Sequence, residues 1–128
     1  MKLLLPIKPE FAKKILAGTK RFEFRKTMFK RKVDTVVIYA SSPVKKIVGE
    51  FKLLGIISGA PDDVWSKCKA FAGVDKMSFD EYFQKSDIAF ALEIGKVVRY
   101  DEPCDLGETY GIRPPQSFCY ISDDRDDG

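Results

Sequence analysis

The chain has no histidine at all. That absence excludes Ser-His-Asp and Cys-His catalysis, imidazole-built metal sites and histidine general acids, so any chemistry rests on Lys, Tyr, Ser, Thr or carboxylates. Cysteine is scarce: Cys68, Cys104 and Cys119 are widely spaced and odd in number. This pattern suits neither a disulfide framework nor a zinc site, and ordinary reduced thiols are expected. No apolar run approaches the roughly eighteen residues that a membrane span needs, and the run from Met1 to Pro6 is too short for a signal peptide. The expectation is a soluble, cytoplasmic protein with no metal, no cofactor and no membrane partner.

What is present is 128 residues, 45% of them hydrophobic, enough for one sizeable core and too few for two. A single domain over residues 1–121 is expected. The formal net charge of +3 conceals an asymmetry: residues 1–52 carry 14 Lys and Arg against 4 Asp and Glu, whereas residues 53–128 carry 8 against 15. A clustered positive potential concentrates polyanions whatever their sequence, which suggests phosphates as partners. The alternative is that the acidic second part folds back and neutralises the first. Residues 122–128 are acidic and have no apolar side chain to bury, which predicts a disordered tail.

Periodicity and punctuation place the elements. Leu3 to Ile7 reads as a short buried strand. Pro9 suits a first helical turn, Phe11, Ala12, Ile15 and Leu16 make one apolar stripe, and Gly18 stands where a left-handed residue ends a helix. A strand is expected over Arg21 to Arg25, another over Val33 to Ala40, and a long one over Lys45 to Ile57, bent near Gly49 or Gly55. Pro61-Asp62-Asp63 opens a helix that Gly73 ends. Ser78 to Glu81 matches a capping box for a third short helix. Three strands follow, Ile88 to Ile94, Lys96 to Tyr100 and Ser117 to Ile121, with a Pro- and Gly-rich loop between the last two and one helical turn near Leu106. This order lacks the regular alternation of a doubly wound sheet and fits a β-rich α+β barrel.

The most informative stretch is Ile15 to Arg25. Strand alternation sends Phe22 and Phe24 to one side and Arg21, Glu23 and Arg25 to the other. A carboxylate bracketed by cations on one face is either a solvated surface ladder or a polar site. The following segment, Lys26-Thr27-Met28-Phe29-Lys30-Arg31-Lys32, interleaves cations with apolar side chains. It suits a phosphate-and-base surface, or else Phe29 is core and the cations are its solvated surround.

Ile7-Lys8-Pro9, Phe11-Ala12, Ile15-Leu16, Gly18, Lys20, Glu23 and Arg25 resemble the opening signature of ASCH domains, members of the PUA-like superfamily. The resemblance continues through Tyr39-Ala40-Ser41-Ser42-Pro43, Ile47-Val48-Gly49-Glu50-Phe51 and Pro114-Pro115-Gln116-Ser117-Phe118. It implies an α+β fold, a PUA-like β-pseudobarrel of about six strands with two to three helices, one of which crosses the barrel mouth. It also implies a cleft beside the strand that carries Glu23 and Arg25, RNA or a nucleotide as partner, and a role in RNA metabolism, translation or transcription regulation. One branch of the family is similar to amidohydrolases that deacetylate acetylcytidine with a lysine, a threonine and a glutamate. Lys20 matches the lysine, Glu23 stands at the threonine, and the glutamate falls only loosely near Glu81, so the hydroxyl nucleophile is missing.

The candidate ligand-binding residues are Lys8, Lys20, Glu23, Arg25, Tyr39, Ser41, Ser42, Gln116 and Ser117. Arg25 would hold a phosphate or base edge with its planar fork, Lys20 would add a point charge, and Glu23 would accept from an exocyclic amine. The alternative is that Glu23 and Arg25 form a mutual structural ion pair, which could also be the floor of a cleft. Tyr39 would stack a base, and Ser41 and Ser42 would donate. The alternative function is a small hydrolase of acylated nucleosides or RNA. Glu23 would activate water and Lys20 or Arg25 would stabilise the oxyanion, whereas Lys8, Lys20 and Tyr39 would serve a ribonuclease.

Overall fold

The computed structural model describes residues 1–122; of the expected tail, residues 123–128 lie outside the described residues. Six strands form one sheet in the order β2-β5-β4-β3-β1-β6. They are β1 (Lys2–Ile7), β2 (Phe22–Arg25), β3 (Thr35–Ala40), β4 (Lys46–Gly59), β5 (Ala89–Cys104) and β6 (Cys119–Ile121). β1 and β3 run parallel, and the other neighbours are antiparallel. The helices are α1 (Pro9–Ala17), α2 (Pro61–Cys68), α3 (Lys76–Phe83) and α4 (Leu106–Tyr110), with a 3-10 turn at Lys69–Phe71. The fold is thus α+β, as expected, with more helix than the two to three elements anticipated.

The two long strands curve the sheet. β4 and β5 change register between Ile47 and Gly49, between Phe51 and Leu53, and between Leu53 and Gly55, and such irregularities bend a strand and increase its twist. The bends fall near the two glycines that the sequence singled out. At Gly49 a Cβ would sit 2.5 Å from the Val98 carbonyl oxygen, so only glycine permits this close strand approach. The curved sheet wraps Leu3, Leu5, Ile7, Val36, Ile38, Ala40, Phe51, Leu92 and Ile94, and α1 closes this core with Ala12 and Ile15. Gly18 ends α1 in the left-handed conformation, at φ 84°.

Two local expectations are corrected. The segments Ile88 to Ile94 and Lys96 to Tyr100 form one continuous strand, β5, because Gly95 continues the strand at a point where Leu54 packs closely against it. The cap of α3 is Asp75, whose carboxylate accepts the Ser78 N–H at 2.7 Å. The helix therefore starts before Ser78, and the Ser78–Glu81 pair lies inside it.

The outer faces of the sheet are also covered. The arm made of α2, the 3-10 turn and α3 packs Val64, Cys68, Ala72, Phe79 and Phe83 on Phe24, Ala89 and Ala91. On the far side, Leu106 of α4 joins Leu4, Val37, Tyr39, Ile47 and Ile121.

Candidate functional site

β2 and β6 are the two ends of the sheet, and the cleft lies where those ends approach each other. Within the described residues β2 pairs with β5 and β6 pairs with β1, so side chains must bridge the remaining gap. Arg25 does so. Its Nη2 donates to the Pro6 carbonyl oxygen of β1 at 2.6 Å and to Glu23 Oε2 at 2.9 Å. Neither bond uses Nη1.

Behind Arg25 lies a buried charge cluster. Strand alternation puts Phe24 under the arm and turns Glu23 and Arg25 to the other face, as the sequence predicted, yet neither face is solvated. Glu23 is 6% exposed and Lys20 2%. Glu23 Oε1 lies 3.9 Å from Lys20 Nζ while Oε2 holds Arg25. Lys20 Nζ also donates to the Ala72 carbonyl at 2.6 Å and lies 5.2 and 4.9 Å from the Phe11 and Phe24 ring centres. Burial holds its pKa below the ordinary lysine value, and the Glu23 carboxylate opposes that shift without cancelling it. The Phe71 and Gly73 carbonyls beside Ala72 accept from Arg21 N and Lys14 Nζ, at 2.8 and 3.0 Å. Three successive carbonyls of the arm are therefore tied to α1 and the α1–β2 connection.

In front of Arg25 is a cleft of about 280 Å³. Leu3, Leu5 and Leu92 supply apolar lining, and the polar lining includes Arg25, Lys26, Thr27, Tyr82, Gln116 and Ser117. Met28, Phe29 and Phe118 complete it, with the Phe29 and Phe118 rings edge-to-face at 6.2 Å. Phe29 thus packs on the core and lines the cleft as well. Lys26 Nζ sits 4.5 Å from the Tyr82 ring centre, and burial pushes the Tyr82 hydroxyl pKa up, which keeps it a donor.

The predicted residues divide into three groups. Arg25, Gln116 and Ser117, distant in sequence, line this one cleft. Lys20 and Glu23 stand behind Arg25, enclosed and engaged, so they do not present the open cation and open carboxylate that the sequence suggested. Lys8, Tyr39, Ser41 and Ser42 do not line the cleft. Tyr39 is placed by alternation: Val36, Ile38 and Ala40 point into the barrel, which sends Tyr39 to the opposite face, 5% exposed beside Leu106. Ser41 bonds the end of β1 through its N–H, 2.9 Å from the Ile7 carbonyl, and so stands next to exposed Lys8. Arg21 leaves the predicted face as well; its guanidinium lies 5.3 Å from the exposed Phe71 ring. Tyr82 is the cleft residue the sequence did not reveal. It lies on an ordinary amphipathic helix, and only the docking of the arm brings it beside Lys26.

Comparison with known proteins agrees with this architecture. The chain is 37% identical over 98 residues to the large ribosomal subunit protein uL22 of Ureaplasma parvum serovar 3, a match covering 77% of this chain and 32% of that protein. It therefore spans about a third of that relative's length. It is 32% identical over 120 residues to the ASCH domain-containing ribonuclease of Zymomonas mobilis, covering 88% of this chain and 79% of the relative. The crystal structure of ASCH from Zymomonas mobilis superposes with a TM-score of 0.90 at 27% identity, covering 98% of this chain and 91% of that one. The ASCH domain model matches residues 5–98, a span that includes α1, the buried charge cluster and most of the curved sheet, and the chain belongs to the ASCH domain family.

Proposed function

We propose that the chain is an RNA-binding module whose cleft, between the two ends of the sheet, takes a nucleotide of a single strand. The observation that carries this is Arg25. Its guanidinium is fixed by Glu23 and Pro6 through one nitrogen, while the side chain lines a cleft that also offers the Gln116 amide and the Thr27, Ser117 and Tyr82 hydroxyls. A planar fork beside an apolar floor matches a phosphate or base edge with an adjoining ring. A volume of about 280 Å³ is at the small end of ligand sites, which suits one nucleotide rather than a stacked run. Among the ion pairs of the described residues, Lys46–Asp105 joins the basic first part to the acidic second part, and none does so at the cleft, where Arg25 pairs with Glu23 of its own strand.

Anisotropy titration with labelled single-stranded RNA tests the proposal. Binding is expected to weaken steeply with salt, and Arg25→Ala to weaken it about tenfold or more, the worth of a charge-assisted hydrogen bond. Lys52→Ala is the control, because Lys52 bonds Thr35 Oγ1 at 3.0 Å away from the cleft. Since Arg25 also helps close the barrel, the double substitution Gln116→Ala, Ser117→Ala provides a second probe on exposed residues, expected to weaken binding with the fold retained. Wild-type affinity in both variants would overturn the proposal.

A second function, phosphodiester cleavage, is favoured by the name of the Zymomonas relative, a ribonuclease. End-labelled RNA incubated with the wild type and with Glu23→Gln separates the two. Intact RNA leaves binding alone, whereas cleavage makes the chain a nuclease. Cleavage undiminished in Glu23→Gln removes Glu23 as its base.

A further inference from the structure

The loop that leaves β2 gathers four exposed cations within seven residues. Lys26, Lys30, Arg31 and Lys32 are exposed, and none makes an ion pair with a carboxylate among the described residues. A loop with four exposed cations would ordinarily be mobile, because like charges repel and there is little to bury. Here it is held. The Tyr120 hydroxyl accepts the backbone N–H groups of both Lys30 and Arg31, at 2.9 and 3.0 Å, and the Arg31 guanidinium lies 5.1 Å from the Tyr120 ring centre. Tyr120 is fixed in turn by Phe118, 5.9 Å away and edge-to-face, and Phe118 meets Phe29 of the same loop. Val33 anchors the far end in the barrel core.

Held in this way, the loop continues the cleft wall. Lys26, Thr27, Met28 and Phe29 line the cleft, and the next residues, Lys30 and Arg31, are those fastened to Tyr120. We infer that residues 26–32 are a preorganised phosphate track, over which a single strand seated in the cleft extends with its backbone on Lys30, Arg31 and Lys32. Tyr120 is the positioning residue of that track. The inference rests on the cleft proposed above and adds to it the path and the polarity of the contact surface. Fixing the loop backbone and the Arg31 side chain in advance removes part of the ordering cost that a mobile basic loop would impose on binding.

Salt dependence tests it, because each phosphate contact to a single strand contributes about 0.7 to the slope of log K against log salt concentration. With a labelled oligouridylate of about ten nucleotides, the double substitution Lys30→Ala, Arg31→Ala is expected to lower that slope by about 1.4. The double substitution Lys13→Ala, Lys96→Ala, which removes two exposed lysines outside the cleft and the loop, is expected to leave it unchanged. Tyr120→Phe keeps the ring and all four charges and removes only the acceptor; it is expected to weaken binding severalfold while the unfolding midpoint shifts little. An unchanged slope in the loop variant, or an equal drop in the Lys13, Lys96 control, overturns the track. If Arg25→Ala still weakens binding in that case, the cleft stands without the track; if it does not, the cleft falls as well.

Discussion

Two cationic stretches adjoin in this chain, Lys20 to Arg25 and Lys26 to Lys32, and the fold treats them in opposite ways. In the first, burial forces Lys20 and Arg25 to find partners: they share Glu23, and both bond backbone carbonyls, while Arg21 lies outside the cluster at the Phe71 ring. In the second, the cations face water with no carboxylate within ion-pair distance among the described residues. Composition does not distinguish the two. Burial makes the first a clamp that closes the barrel, and its absence leaves the second free for a partner. A substitution should therefore move stability in the first stretch and binding in the second.

The largest expected effect is that of Glu23→Ala. It would leave the Lys20 ammonium and the Arg25 guanidinium without their shared counter-ion in a buried site, and stranding buried charges of this kind costs about 3–5 kcal/mol. Urea unfolding monitored by circular dichroism would read it as a lower midpoint at constant slope. A loss below about 1 kcal/mol, the range of an exposed pair, would mean that the cluster is solvated and that the contrast between the two stretches is false.

How far this contrast could be read beforehand depends on the kind of information each part requires. Alternation along Phe22 to Arg25 is local and was legible, as were the Pro9 start and Gly18 end of α1, because a strand period and a left-handed glycine are properties of a few adjacent residues. Both faces of β2 being covered was not legible from the strand alone, since the cover comes from an arm some 40 residues later. Tyr82 was invisible for the same reason, whereas Gln116 and Ser117, which line the cleft, were named from the family resemblance and from their place after the Pro114-Pro115 turn. For Tyr39 alternation was clear but what covers its face was not: the barrel has structure on both sides of β3, and Tyr39 packs beside Leu106 rather than lining the cleft. The two strand spans read for β5 left Gly95 between them, whereas the close approach of Leu54 requires a small residue there within one continuous strand.

A smaller effect follows from the protonation of Lys20. Burial lowers its folded-state pKa below the value of 10.5 that the unfolded chain retains, with Glu23 only partly offsetting the loss of hydration. Between those two values the unfolded chain holds a proton that the folded chain has released, so stability rises with pH across that window. The stability difference between the wild type and Lys20→Met, measured by denaturant titration from neutral pH up to about 10.5, should therefore grow in favour of the wild type. Groups common to both proteins cancel in that difference. A difference that stays flat would mean that the Ala72 carbonyl and Glu23 hold the ammonium as well as water does, and the clamp would then be as inexpensive to form as a surface pair.

The smallest effects on stability belong to the loop, and they sharpen the comparison most. Lys30→Ala removes an exposed charge with no ion-pair partner among the described residues and is expected to change stability by no more than about 0.5 kcal/mol. Arg31→Ala also removes a cation from the face of Tyr120, worth about 0.5–1 kcal/mol at an exposed site. Thermal and urea unfolding of the two variants should reproduce that order, with Arg31→Ala the more destabilising. Were Lys30→Ala to cost as much as Glu23→Ala, the loop would be part of the clamp, and its cations would be held for the fold's sake. If instead the cost stays within half a kilocalorie while the same substitution weakens oligonucleotide binding, the four cations contribute to recognition far more than to folding. Neutral exposed residues could then serve the fold equally well, and a polyanionic partner would account for the positive charge.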